Sequence, residues 1–567
     1  MSNSDNPRAM TGGQALVECL RREGVRHIFN VPGESYLGAL DAFHEAPEIR
    51  IITNRQEGGA CYMAEAYAKA TRTVGVCFVT RGPGATNASI GVHCAQQDST
   101  PLVLFIGQVP RYNRGREAFQ EVDFGRFFGS MAKWVVEIDQ PAKVPEMVTR
   151  AFHTARSGRP GPVVVALPED MLVEVAPMRF PEPVRLTPPL PDPARIREII
   201  QALNAAKRPV VLVGAGVQYS GARESLVRFA ERFRVPVLTS WRRNDAFPNS
   251  HPHYAGNLAI GSSPSQTVVR EADLLFVLGD RLSEITTDDY TLPLPGTDLI
   301  QVDICPEVIG RHFSTRIGMV ADARRTLEAA LEQNAPQANP AREQYLKQAH
   351  QTYLDYSTPK ERPTELVAYE RVLIELNAMV PKDTVFTTDA GNFSGYFQRY
   401  HRYDESETLF GPTVGSMGYG LPAAIAAKLA HPERLVIGTS GDGGFLMNGQ
   451  ELATAVQYQV NILHLVFNNG SYGTIRMHQE RNYPGRDAIA TDLHNPDFAA
   501  YARAFGAEGF TVRTNAELRP ALEAALAAVN AGRPALVEFQ TDPEHISMGA
   551  TLTSIRNSHA AKANAGD

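Results

Sequence analysis

From Gln14 to Gly107 the chain alternates between two rhythms. Stretches such as ALVECLRREG and ACYMAEAYAKA repeat apolar positions every three or four residues, the period of a helix with one buried stripe. Between them lie short runs rich in β-branched and aromatic residues: HIFNV, IRIIT, GVCFVT and LVLFIG. Strands so uniformly apolar are buried on both faces, and their alternation with helices predicts a parallel sheet. The same rhythm returns twice, through VVLVG, VPVLT, LLFVLG and LIQVD (Val210 to Asp303), and through TVFTTD, RLVIGTS and ILHLVFNN (Thr384 to Asn469). Two segments interrupt it. Phe180–Arg195 is too rich in proline for a helix or core strand and reads as a linker, and a charged, apolar-poor helical piece over Ala341–Lys360 joins the second unit to the third. The expected architecture is α/β, three doubly wound parallel-sheet domains in series over residues 10–180, 195–335 and 365–546. Residues 547–567 lack an apolar period and are expected to be a flexible tail, of a kind that can also fold over a site.

Bulk properties narrow the classes. At 567 residues the chain exceeds what one core serves, which agrees with several domains. No apolar run approaches the ~18–20 residues of a membrane span, and the polar start MSNSDNPRAM lacks the layout of a secretory signal, so a cytoplasmic protein off the membrane is expected. The five cysteines are dispersed and form no CxxC, against a disulfide framework or a zinc site. A net charge of −7 with mixed signs leaves no basic footprint for nucleic acid.

Candidate chemistry concentrates in the third unit. One strand ends in Gly441-Asp442-Gly443-Gly444 and the next in Asn468-Asn469-Gly470, with Asp442 and Asn469 27 residues apart. Ligands of open α/β sheets sit at such strand ends. The glycines let backbone approach phosphate oxygens, and a carboxylate with a neutral amide suits a hard cation such as Mg²⁺. Either cluster alone is also a turn signal.

Together these motifs resemble the signature of the thiamine diphosphate enzymes of the acetolactate synthase and pyruvate decarboxylase superfamily, and the resemblance covers nearly the whole chain. It implies a pyrimidine-binding domain first, a middle domain, and a diphosphate-binding domain last. By the same resemblance Asp442, Asn469 and the carbonyl of Ser471 hold Mg²⁺, while Gly441, Gly443, Gly444, Tyr472 and Gly473 border thiamine diphosphate. The segment Gly415-Ser416-Met417-Gly418-Tyr419-Gly420-Leu421-Pro422 matches another family motif, in which Gly415 borders the cofactor and Met417 wedges its two rings into a V. Glu57, where a strand gives way to a helix, matches the family's activating glutamate. It would bond N1′ of the aminopyrimidine and so generate the base that forms the C2 ylid. Because Glu57 and the metal motif fall in different domains, the resemblance implies a homodimer or homotetramer with active sites between subunits.

The substrate pocket carries mixed features. Gly107–Arg111 (GQVPR) and Ala118–Glu121 (AFQE, with Gln120) match acetolactate synthases, and Lys133 follows at that family's spacing. His478, however, stands where those enzymes carry an acceptor-selecting tryptophan, and Glu34 where they carry a glycine. Gln120, Glu34 and His478 are expected to face substrate. The middle unit has Gly214-Ala215-Gly216 after a strand, but its third glycine falls too late for a dinucleotide fingerprint. FAD, held there by acetolactate synthases, is left open and not predicted. The leading expectation is a carboligase or decarboxylase acting on a 2-oxo acid through an enamine. The alternatives are a thiamine-dependent lyase of 2-hydroxy carbonyl compounds and a nucleotide-dependent oxidoreductase.

Overall fold

The computed structural model describes residues 8–184, 186–337 and 339–565. They build three six-stranded sheets, each parallel throughout. The first contains β1 (His27–Asn30), β2 (Arg50–Thr53), β3 (Gly75–Val79), β4 (Leu102–Gln108), β5 (Trp134–Glu137) and β6 (Pro162–Pro168), in the order β2-β1-β3-β4-β6-β5. The second contains β7 (Pro209–Val213), β8 (Val237–Thr239), β9 (Tyr254–Asn257), β10 (Leu274–Leu278), β11 (Asp298–Asp303) and β12 (Ile317–Val320), in the order β9-β8-β7-β10-β11-β12. The third contains β13 (Val385–Thr388), β14 (Leu409–Phe410), β15 (Val436–Gly441), β16 (Leu463–Asn468), β17 (Glu508–Val512) and β18 (Ala535–Gln540), in the order β14-β13-β15-β16-β18-β17. The three parallel α/β units expected from the pattern are therefore present, and the first and third share one strand order. Strands β4 and β6 are buried at every position, which is why β4 reads as an unbroken apolar run.

Seven helices matter for the site: α1 (Glu57–Thr71), α2 (Gly82–Asp98), α3 (Pro340–Tyr356), α4 (Gly420–Ala430), α5 (Asp442–Asn448), α6 (Gly473–Asn482) and α7 (Leu552–Ala565). Helices α1 and α4 are rich in alanine and glycine, so their backbones approach closely, and one continuous apolar core runs from the first sheet through them into the third. The middle sheet keeps its own clusters on its two faces, and α3, the charged joining segment, covers one of them through Tyr345 and Ala349. A two-stranded antiparallel ribbon, Arg8–Thr11 with Val175–Met178, escaped the pattern because its residues are mostly exposed or half-buried. The expected flexible tail needs correcting. Most of it is helix α7, whose Leu552 and Ile555 are buried against Met477 and Ile546.

A buried ionic cluster ties the three units together. Lys69 on α1 lies 2.8 Å from Glu65 and 3.3 Å from Asp98, and Arg243 of the middle unit lies 2.9 Å from Asp98. The Tyr419 hydroxyl of the third unit donates to Glu65 (2.6 Å) and the Thr413 amide to Asp98 (3.1 Å). Two cations against two carboxylates balance the charge, as burial requires. Burial pulls the Lys69 pKa down, but Asp98 and Glu65 outweigh it and leave the ammonium above its usual value. Cys94, Glu65 and Asp98 approach one another like metal ligands, yet the Lys69 ammonium already answers both carboxylates.

Candidate active site

In the third sheet the chain passes from β13 to β14 on one side and to β15 on the other. At such a reversal the loops leaving the two strands splay apart and open a crevice. Here those loops carry Asp389–Asn392 and Gly441–Gly444. Asp442 starts α5 and is 3% exposed. Burial raises its pKa, opposed by the Asn495 amide, which donates to Oδ2 (2.8 Å), and by the backbone amides of Gly443, Ser471 and Gly470. Those last two amides belong to the loop after β16, so the motif residues 27 positions apart meet. Within that loop Asn469 Oδ1 accepts from the Ser471 amide (3.1 Å), and Gly470 takes φ +66°, the left-handed region that costs glycine least. Tyr472 lies against the α5 backbone so closely that a Cβ on Gly443 would sit 2.5 Å from its ring. Gly473 opens α6 beside the Asn469 amide.

The residues fit a bound cation and phosphate. Buried around Asp442 and Asn469, the side-chain oxygens Ser471 Oγ, Thr491 Oγ1 and Asn495 Oδ1 have no hydrogen-bond partner among the described residues. Unmatched buried oxygens are rare in folded proteins and mark a place where something else is received. Asp389 is pushed up to about 6 by burial, while its Oδ1 accepts from the Gly420 amide (2.9 Å). Met417 is half-buried, and its carbonyl accepts from Tyr62 of α1 (3.4 Å). Gly415 is exposed, at φ +70°.

The first sheet reverses in the same way at β1, between β2 and β3. Its crevice lies between Val31–Ser35 and Thr80–Gly82. Glu57 heads α1, with Oε2 accepting from Asn87 Nδ2 of α2 (2.9 Å). Thr80 packs against both neighbouring glycines: a Cβ on Gly33 would lie 2.4 Å from it, and one on Gly84 would lie 3.0 Å from Thr80 and 3.4 Å from Glu57 Oε1. Glu34, its side chain 66% exposed, pairs with buried Arg81 (3.3 Å). The Gln120 carbonyl accepts from the Gly82 amide (3.0 Å), so the first crevice gathers Glu57, Glu34 and Gln120 at one edge. Lys133 lines a different space, a cleft of about 420 Å³ bordered also by Arg159 and Cys305. Its ammonium donates to the carbonyls of Thr154 and Ser157, and burial lowers it to about 8. His478 is exposed on α6, on the third domain.

Several partners were invisible in the motifs. Asn495 bridges Asp442 and Asn468, and Glu451 reaches across from the third unit to accept from the amides of Arg55 (3.0 Å) and Gln56 (3.1 Å), the residues just before Glu57. Among the described residues the Glu57 carboxylate has Asn87 as its hydrogen-bond partner and none from the third unit.

Three family models match in the same order as the sheets: the N-terminal TPP binding domain of thiamine pyrophosphate enzymes over residues 10–127, their central domain over 196–330 and their C-terminal TPP binding domain over 389–539. The chain belongs to the thiamine pyrophosphate enzyme family. Relatives of this thiamine pyrophosphate enzyme include the acetolactate synthase isozyme 3 large subunit of Escherichia coli K12, 33% identical over 95% of this chain and 96% of that protein. A protein of Methanococcus aeolicus named "Probable acetolactate synthase large subunit" is 32% identical over 96% of this chain and 95% of its own length. The enzyme is therefore thiamine-diphosphate-dependent. No helix among the described residues is long and apolar enough to cross a membrane. In its middle domain the loops after β7 and β10 close on each other, the Gly216 amide donating to the Gly279 carbonyl (3.0 Å).

Proposed function

We propose that this thiamine pyrophosphate enzyme is a carboligase or decarboxylase of the acetolactate synthase type, acting on a 2-oxo acid, with Mg²⁺ as second cofactor. The observation that carries the reading is the Asp442–Asn469–Ser471 cluster ringed by unmatched buried oxygens, on a chain a third identical to acetolactate synthase subunits along nearly its whole length. Asp442, Asn469 and the Ser471 carbonyl would hold the metal, and Gly441, Gly443, Gly444, Tyr472 and Gly473 would border the diphosphate. Thiamine diphosphate, when bound, supplies a nucleophilic carbon and an electron sink. The protein's part is orientation and proton handling. Met417 and Gly415 would shape the floor under the rings. Glu57 would share a proton with the ring nitrogen through Oε1, while Asn87 fixes Oε2. Glu34, Gln120 and His478 would meet substrate.

The Glu57 carboxylate lies half-buried beside exposed Asn87 and Ile90, and among the described residues receives no hydrogen bond from its own third domain. A second copy supplying its C-terminal crevice to this face accounts for both, giving a homodimer or a pair of dimers. Calorimetry on metal-stripped protein tests the core of the reading. Thiamine diphosphate should bind only with Mg²⁺, Asp442→Ala should lose that binding, and Glu57→Gln should bind yet release no CO₂ from pyruvate. Metal-independent binding, or binding kept in Asp442→Ala, would sink it.

A further inference from the structure

The first crevice holds a charge arrangement that cofactor binding does not require. Arg81 follows β3, and its side chain is 8% exposed. Nη1 lies 3.3 Å from Glu34 Oε1, Nη2 donates to Glu169, and buried Nε has no partner. Glu169 opens the short helix after β6, its side chain 34% exposed, whereas that of Glu34 is 66% exposed. One cation shared by two carboxylates leaves the trio net negative, and the outermost group is Glu34. Glu57 stands on the same edge, across Gly84 from Thr80. Nearby Arg111 is already bound to Asp170 and Glu174.

We infer that the Glu34–Arg81 pair selects the second substrate of this site: a neutral aldehyde or hydroxy-carbonyl acceptor in preference to a second 2-oxo acid. The inference rests on the carboligase reading above. Both 2-oxo acid and neutral acceptors are chemically competent to receive a carbon nucleophile, so the choice falls to binding. An acceptor 2-oxo acid keeps its carboxylate throughout, and that charge would face Glu34, whose paired cation Arg81 is already shared with Glu169. Like charges brought together without a counter-ion discriminate strongly, the repulsive half of specificity. The donor 2-oxo acid escapes this penalty, because its carboxylate departs as CO₂ and repulsion in the bound state is relieved as the bond breaks. A neutral acceptor bearing a hydroxyl finds in Glu34 an acceptor-only group, giving a charge-assisted hydrogen bond. Arg81 acts through Glu34 and is a positioning residue, held from behind by Glu169.

Glycolaldehyde and glyoxylate form a matched pair of small aldehydes, differing by a hydroxymethyl against a carboxylate. With enzyme loaded with thiamine diphosphate and Mg²⁺ and pyruvate as donor, CO₂ release and the ligation products are followed separately. The wild type should favour glycolaldehyde by at least about tenfold in kcat/KM, chiefly through KM, and Glu34→Gln should narrow that ratio about tenfold. Arg81→Gln should raise KM for glycolaldehyde, and Arg81→Lys should recover part of the loss, with cofactor affinity reporting that each variant is folded. Equal use of glyoxylate by the wild type, or a ratio unmoved by Glu34→Gln, overturns the assignment while CO₂ release leaves the carboligase reading standing. Absence of CO₂ release from pyruvate removes both.

Discussion

Asn495 holds Asp442 and Asn468 together with one amide, and a ligand's orientation depends on such outer partners. On the proposed reading, in which Asp442 holds Mg²⁺, Asn495→Ala should weaken Mg²⁺ affinity ~10-fold or more, read by calorimetry, without moving the chain's fold. Asp389 allows a pH test. In the folded chain it takes its proton at about 6, against 3.8 for the ordinary group, because burial penalises the charge. Between those values the folded state binds more protons than the unfolded, so this contribution to stability rises as pH falls from 7 towards 4. The shift corresponds to ~3 kcal/mol at neutral pH. Relative to Asp389→Asn, the wild type should therefore gain thermal stability between pH 7 and 5, and parallel curves for the two proteins would contradict it. At this scale the sequence marked Asp442 and Asn469 as candidates because each sits in a glycine-marked loop at a strand end, although Asp442 finds its amide partner as far away as Asn495. Asn495, Arg81 and Asp389 were opaque, since the partners that give them meaning lie 27 to 88 residues away or exist only as burial.

Among the elements, buried strands were the easiest to foresee, because a parallel sheet covered on both faces demands unbroken apolar runs. Helix α7 was the hardest. Among its residues whose burial is described, Leu552 and Ile555 are the buried ones, and two contacts leave no periodic trace. It is nonetheless pinned to α6 by the pair Arg556–Glu480, two residues beyond His478. Truncation after Ala550 should leave the global unfolding midpoint nearly unchanged but expose Met477, so that hydrogen exchange along α6 quickens by an order of magnitude or more. Unaltered exchange there would show that α6 does not depend on α7.

For the whole molecule, three domains were legible from three rounds of one rhythm, but their mutual docking was not. Beside the apolar core shared by the first and third units, that docking uses the Glu65–Lys69–Asp98–Arg243 cluster, in which each residue alone looks like an ordinary surface charge. Lys69→Met should cost ~3–5 kcal/mol in guanidinium unfolding, since it strands buried carboxylates rather than deleting the group as a whole. The contact made by Glu451 has a different consequence, for anyone recombining these enzymes. Its carboxylate binds the main-chain amides of residues 55 and 56, which any residue but proline supplies, and adds one side chain of that domain, Asn54 (3.2 Å). A transplanted N-terminal domain therefore brings its half of this joint almost regardless of its own spelling, and in a chimera the position to preserve is the recipient's 451.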